Sequence, residues 1–552
     1  MTNATPIGRY LIDRLVARGV RHVFGVPGDY VLGFFKELED SPLTVVTTCD
    51  EQGAGFAADA YARLTGLGVV VVTYGVGGLK VVNTTAEAFA EKSPVLVISG
   101  APGRAEELKN PMLHHKVDQF DTQRRVFEHL TAASADLNDP DTALHEIDRV
   151  LDTIDRRKQP GYLELPRDML TVRGRRTHTP PVALPPSADP AALQEAVAEA
   201  EALLSAARQP VILVGEEVHR FGLVEPVLQL AERCRIPLAV SIMGKSAVPE
   251  THPLYMGVYA GALGDPAVQI YVEASDCLLL LGVFLTDVNL GVYTAHLDPR
   301  RCVHVTSERV AIAHHTYPGV GLAEFVTALN TTERVCPAPS DLPHPRTVSP
   351  FVPVGDRPIS VERLFECLDD WIDCDTMIVA DVGDALFGSA TLTTCRGGQF
   401  LSPAYYTSLG FGVPGSIGAQ LARPTLRPLV LVGDGAFQMT GMELSTVVRY
   451  GLNPIVVVLD NGGYATERPM IDGPFNDILR WRYERLPDVL GQGRGFRVET
   501  EAQLADALAE ARAHTESFCL ISVSLDPTDI SPALRRLTAG LRRNVKAPSA
   551  RG

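Results

Sequence analysis

Between residues 428 and 466 the chain reads PLVLVGDGAFQ…NPIVVVLDNGGYAT, a pattern that few architectures can hold. Residues 429–432 are apolar and end in Gly433-Asp434-Gly435. A helix-length segment with apolar Phe437, Met439, Leu444 and Val448 follows, and a second apolar run, residues 455–459, ends in Asp460-Asn461-Gly462-Gly463. Two buried-strand signals around a helix signal predict a βαβ unit. Such a unit brings both strand ends to one edge of a parallel sheet, where open α/β sheets bind ligands. Asp434 and Asn461 are therefore expected to meet in space.

The residue types say what they would meet around. A carboxylate, an amide oxygen and the carbonyls of a glycine-rich turn that includes Gly463 are hard oxygen donors. They are too few for calcium but suit magnesium, which takes its other ligands from phosphate and water. The glycines let the backbone N–H groups of Gly435 and Ala436 approach a diphosphate at a helix start. A cation-bridged diphosphate site built from Gly433, Asp434, Gly435, Ala436, Asn461 and Gly463 is the expectation. GDG alone also occurs in ordinary turns; its pairing with NGG at a second strand end makes the pattern specific.

Two proline-rich stretches, residues 179–190 (TPPVALPPSADP) and 336–358 (CPAPSDLPHPRTVSPFVPVGDRP), lack apolar periodicity and read as extended linkers. They divide the chain into residues 1–178, 191–335 and 359–552. In the first part, residues 10–18 read as a helix ending at Gly19, and 23–26 as a strand ending in Pro27-Gly28-Asp29. Residues 43–48 form a second strand signal, ending in Cys49-Asp50-Glu51 before the small-residue helix QGAGFAADAYARLTG. Residues 69–73 lead into the turn Gly75-Val76-Gly77-Gly78 and a helix carrying Asn83 and Ala86, and 95–98 form a fourth strand. Asp29, Glu51 and Gly75 should share one sheet edge. Strand signals at 211–214, 237–240, 277–281 and 302–305 repeat the pattern in the middle part without a GxGxxG turn, so it reads as a scaffold or effector domain. The third part adds strands at 377–380 and 519–523 to the two already described. The fold class is α/β, with three doubly wound parallel-sheet domains.

Composition narrows the classes further. Hydrophobic content of 45% with 21% charged residues is that of a globular protein, and a formal charge of -16 argues against nucleic acid or an anionic membrane as partner. No apolar run reaches membrane-spanning length, and MTNATPIGRYLIDRL has no basic, apolar and cleavable regions in succession. Nine cysteines stand singly without a CxxC pair. They fit reduced thiols in a cytoplasmic protein better than a disulfide framework or zinc site.

GDG…NGG resembles the thiamine diphosphate fingerprint, and residues 10–537 resemble the pyruvate, indolepyruvate and phenylpyruvate decarboxylases. The resemblance implies pyrimidine-binding, central and diphosphate-binding domains, in that order, and thiamine diphosphate with magnesium as cofactors. The cofactor supplies a carbanion that attacks a ketone carbonyl and then an electron sink for decarboxylation. It must be held in one tautomer by a carboxyl group on its ring nitrogen, the role implied for Glu51. In the family the two halves of a site come from different subunits, implying a homodimer as the minimal active unit, commonly paired into a homotetramer. Asp29 in GVPGDY, His114-His115 in PMLHHKVDQFDTQ and Glu467 in NGGYATE match the family's acid–base groups. Leu409 in YYTSLGF matches the apolar wedge beneath the bent cofactor.

Some positions depart from the pyruvate decarboxylase pattern. Ala436 stands for a serine, Asp384 for a threonine, Gly78-Leu79-Lys80 for Glu-Leu-Ser, and Ala465-Thr466 for Thr-Ile. The last change shortens one wall of the substrate pocket. EKSPVLVISGAPG and GDGAFQMTG look instead like the phenylpyruvate branch. The expectation is decarboxylation of an aryl or bulky 2-oxo acid to the aldehyde and carbon dioxide. Alternatives are a carboligase joining two oxo acids into an acyloin and a non-catalytic cofactor-binding paralogue. Acetolactate synthase fits less well, since the histidine pair and the glutamate after NGG belong to the decarboxylases.

Overall fold

The computed structural model describes residues 4–175, 188–331, 341–343 and 350–545. Three sheets organise them. In the first, strands β1 (His22–Gly25), β2 (Thr44–Thr47), β3 (Gly68–Val72), β4 (Val95–Ala101), β5 (Ala133–Asp136) and β6 (Gly161–Pro166) are all parallel, in the order β2-β1-β3-β4-β6-β5. β3, β4 and β6 are buried along their whole length, as central strands covered on both faces must be.

The second sheet runs β7 (Pro210–Val214), β8 (Leu238–Ser241), β9 (Tyr255–Tyr259), β10 (Cys277–Leu281), β11 (Cys302–Val305), β12 (Arg309–Ile312) and β13 (His315–Pro318), in the order β9-β8-β7-β10-β11-β12-β13. Its last two strands are antiparallel, so this sheet is parallel only in its core. The third is wholly parallel: β14 (Thr376–Ala380), β15 (Phe400–Leu401), β16 (Arg427–Gly433), β17 (Ile455–Asp460), β18 (Arg494–Val498) and β19 (Cys519–Ser524), ordered β15-β14-β16-β17-β19-β18. The three α/β sheets are those expected. Of the strands that the pattern missed, β5, β9, β13, β15 and β18 are edge strands, whereas β6 is buried along its whole length.

The described residues form two compact units, and these cut across the chain order. One draws on Met1–Pro185, Tyr406–Leu426 and Thr440–Pro454; the other on Pro186–Tyr405, Arg427–Met439 and Ile455–Gly552. Within the first unit, helix α1 (Glu51–Thr65) packs on α2 (Gly412–Ala422). Small side chains make this possible: a β-carbon at Gly418 would lie 1.9 Å from the carbonyl oxygen of Ala57. The second unit holds the second and third sheets. A buried Lys245–Glu250 ion pair, 2.9 Å between Nζ and Oε1, links them, with Lys245 donating to the Leu392 carbonyl and Glu250 accepting from the Thr394 N–H. Removing one partner of such a pair costs about 3–5 kcal/mol, because the other is left charged and buried.

Three expectations change. Cys374 and Cys395 form a disulfide, with Cα atoms 5.2 Å apart. Single cysteines far apart in sequence gave no pairing signal, because only the fold brings the loop before β14 beside the loop before β15. The helix expected after GDG is broken: α3 (Asp434–Thr440) is followed by a 3₁₀ turn, Gly441–Glu443, and then a short helix, Leu444–Arg449. The Thr440 hydroxyl donates to the Gly410 carbonyl, and Gly441 gives the helix no side chain to pack. Of the supposed linkers, residues 179–187, 336–340 and 344–349 lie outside the described residues. Asp189-Pro190 instead starts a helix, Pro190–Ala206, with Asp189 Oδ1 accepting from the Ala191 N–H.

Candidate active site

The diphosphate half belongs to the second unit. β16 and β17 are adjacent and parallel, so the loops at their C-terminal ends converge as the βαβ reading requires. Asp434 is 1% exposed. Its Oδ1 accepts from the Gly435 N–H at 2.8 Å, and its Oδ2 from Gly462 at 2.6 Å and Gly463 at 3.2 Å. Asn461 Oδ1 accepts from the Gly463 N–H at 3.2 Å. Gly462 has φ 79°, and a β-carbon at Gly463 would lie 2.0 Å from the Asn476 carbonyl oxygen, so only glycine fits this turn. Burial pushes the Asp434 carboxyl up to about 6 against the pull of these backbone donors.

A buried carboxylate that no described lysine or arginine neutralises, next to an amide oxygen and a glycine turn, fits a small hard cation. The residues needed to hold magnesium against a diphosphate are thus together. Ala436 is buried at the start of α3, and Ala465 is buried beyond the turn, while Thr466 is half-buried and Glu467 exposed. Gly383, at φ 79°, approaches Thr466, so a β-carbon there would be 3.0 Å from Thr466 Oγ1. Asp384 follows it. Its Oδ2 accepts from the Ser531 N–H at 2.8 Å, its Oδ1 has no hydrogen-bond partner among the described residues, and burial raises its carboxyl to about 6.

The acid–base half belongs to the first unit. The parallel β1, β2 and β3 bring their C-terminal loops together, and the expected Asp29, Glu51 and Gly75 edge is present. Asp29 Oδ2 lies 2.9 Å from His114 Nε2. His114 stacks on Tyr30 at 5.0 Å between ring centroids and meets His115 edge-on at 4.7 Å. The Tyr30 hydroxyl donates to the His114 carbonyl, and His115 has φ 68°, a left-handed backbone. His115 Nδ1 is buried without a partner among the described residues, which leaves a polar atom for a ligand to satisfy.

Glu51 is the first residue of α1, capped by Asp50, whose Oδ1 accepts from the Gln52 N–H at 2.8 Å. Beneath that loop, Glu443 accepts from the N–H groups of Cys49 and Asp50 at 3.2 and 3.1 Å and from the Thr446 hydroxyl at 2.6 Å. Burial raises its carboxyl. Leu409 is half-buried in a loop fixed by Asn83, whose Nδ2 donates to Ser408 Oγ at 2.7 Å, and by Glu91, which accepts from the Tyr406 N–H at 2.8 Å.

Sequence reasoning did not single out Arg167, Gln123, Glu443 or Thr73. Arg167 lies 3.7 Å from Asp29, pairs with Glu106 and sits over the Tyr30 ring. Gln123 accepts from the Gly75 N–H at 2.7 Å and donates to Ser99 and Tyr162. Its amide fills the space that any side chain at position 78 would need, 2.3 Å from a β-carbon, which explains glycine there. Thr73 has a buried hydroxyl without a partner among the described residues. None carries a local motif; the DTQ triplet containing Gln123 was the one available signal.

Models of the thiamine pyrophosphate enzyme family match in three pieces: the N-terminal TPP binding domain over residues 6–123, the central domain over 197–331 and the C-terminal TPP binding domain over 381–523. Fold and site together define a thiamine diphosphate enzyme. An indole-3-pyruvate decarboxylase of Azospirillum brasilense is 37% identical over 548 residues, 98% of each chain. Alpha-keto-acid decarboxylases of Mycolicibacterium paratuberculosis and Mycobacterium tuberculosis are each 34% identical over 97% of this chain, and over 96% and 97% of their own. The chain belongs to the thiamine diphosphate-dependent 2-oxo acid decarboxylase family of carbon–carbon lyases. Among the described residues no helix is long and apolar enough to cross a membrane.

Proposed function

We propose that the protein decarboxylates an aryl or otherwise bulky 2-oxo acid, of the phenylpyruvate or indolepyruvate kind, to the aldehyde and carbon dioxide. The observation that carries the cofactor reading is the Asp434 carboxylate tied to the Asn461-Gly462-Gly463 turn. Asp434, Asn461 Oδ1 and the Gly463 carbonyl would hold magnesium, and the N–H groups of Gly435 and Ala436 would receive the diphosphate. Thiamine diphosphate bound there supplies the electron sink.

The chain's own groups do the rest. Glu51 would bond the ring nitrogen of the cofactor, and Leu409 would supply an apolar contact to it. Asp29, His114 and His115 form one group, joined by a hydrogen bond and an edge-on ring contact, able to deliver a proton after carbon dioxide leaves and to take one from the product hydroxyl. Glu467 lies beside the substrate carboxylate. Ala465 and Thr466 leave room for a ring. Residues 1–178, 191–335 and 359–552 act as pyrimidine-binding, central and diphosphate-binding domains of a cytoplasmic homodimer, assembled into a homotetramer. The relative named as an indole-3-pyruvate decarboxylase supports the substrate class.

Purified protein with magnesium, thiamine diphosphate and a panel of 2-oxo acids tests this. Aldehyde should form with higher kcat/KM from phenylpyruvate or indolepyruvate than from pyruvate. A preference for pyruvate would reject the substrate class, and acyloin without free aldehyde would establish the carboligase instead. Mixing inactive Glu51→Gln and Asp434→Ala proteins under subunit exchange should restore part of the activity, because a hybrid dimer holds one intact site.

A further inference from the structure

Lys80 is the residue beside the cofactor-activating glutamate that neither fold nor reaction accounts for. It lies in the 3₁₀ turn Gly78–Val81, which follows the Gly75 turn. Its ammonium is 2.8 Å from Glu51 Oε2 and also pairs with the Asp50 carboxylate. The hydrogen bonds that Lys80 donates to Asp50 first, and to Glu51 second, raise its ammonium above its ordinary range, so it is charged at neutral pH. The Glu51 side chain is 11% exposed, whereas that of Lys80 is 49% exposed.

We propose that Lys80 is a positioning residue that gates cofactor uptake: its ammonium holds the Glu51 carboxylate until the cofactor's ring nitrogen takes that place. Asp50 is its alternative anchor. The two carboxylates are adjacent in sequence and already share the ammonium, so moving the ion pair wholly onto Asp50 needs only side-chain rotation. Glu443, the other carboxylate at this loop, is occupied by two backbone N–H groups and a hydroxyl and does not compete for the lysine. The inference rests on the role proposed for Glu51.

The test is calorimetric binding of thiamine diphosphate, with magnesium, to the full-length protein. Lys80→Met removes the competing charge and should tighten binding by about two- to fivefold, the upper part of the range of a partly exposed ion pair. Lys80→Arg keeps a cation and should bind like the wild type. In a Glu51→Gln background the Lys80→Met effect should vanish, since the coupling runs through that carboxylate. Unchanged or weaker binding by Lys80→Met, or the same gain in the Glu51→Gln background, would overturn the gate. If Glu51→Gln alone keeps full activity, the role of Glu51 itself fails and the gate with it. If that variant is inactive while Lys80→Met binds as wild type, only the gate fails.

Discussion

Asp434 and Asp29 are both carboxylates just past the ends of parallel strands, yet their surroundings are opposite. Asp434 is nearly sealed from water and takes three backbone N–H groups, whereas Asp29 has a side chain 42% exposed and shares its oxygen with a histidine that is 58% exposed. A group that holds a cation must be fixed before the cation arrives, and backbone donors from a turn with no conformational alternative do that. A group that passes protons must reach water or substrate and must not be over-stabilised in one charge state. The first is bought with glycines and burial, the second with side chains that can still move.

Exchanging the two carboxylates for neutral residues should break this contrast most sharply. Asp434→Ala should lose magnesium-dependent cofactor binding by more than about 100-fold in calorimetry, since the phosphates lose their bridging cation. Asp29→Asn should bind cofactor normally yet turn over about 10²–10⁴-fold more slowly, with aldehyde release slowed more than first-turnover carbon dioxide. Equal effects of both variants on cofactor affinity would erase the distinction.

The pH dependence of binding sharpens it next. Burial holds the Asp434 carboxyl near 6, so it is protonated below that pH and cannot ligate a cation. Cofactor and magnesium affinity should stay flat above about pH 7 and fall by up to about tenfold per unit once pH drops below about 6. For the metal-free fold the sign is also set. A carboxyl raised from 3.8 to about 6 leaves the folded state binding more protons, so its contribution to stability is lost as pH rises from about 4 to 6. Asp434→Asn should remove that slope in thermal melts.

The smallest effect concerns the wall beside the anchor. Thr466 lies close to Gly383, where a β-carbon would come within 3.0 Å of its hydroxyl. Thr466→Ile should lower kcat/KM for aryl substrates relative to pyruvate by about tens-fold, the value of about 1–3 kcal/mol of pocket contact, without changing cofactor affinity.

Short-range information was sufficient to bring Asp434 and the Asn461-Gly462-Gly463 turn together. GDG and NGG end two fully apolar runs, and a parallel βαβ unit has only one edge on which to place them. The same reasoning brought Asp29, Glu51 and Gly75 together. It failed for buried Gln123 and Glu443 and for the exposed Arg167, because a polar residue outside a motif shows no period; its partner is defined only after distant segments pack. Glu443 supports the Glu51 loop although about 390 positions separate them, and Cys374 finds Cys395 only through the strand arrangement.

Sequence alone was enough for the three α/β sheets, the family and the set of candidate site residues, since strand burial and glycine turns are local consequences of composition and period. Tertiary structure alone decided which segments share a compact unit, where the helix after GDG breaks, and which lysine lies on Glu51. Those outcomes depend on close approach between backbones, as at Gly418 and Ala57, and on charges meeting across loops. Neither is written in any single stretch of chain.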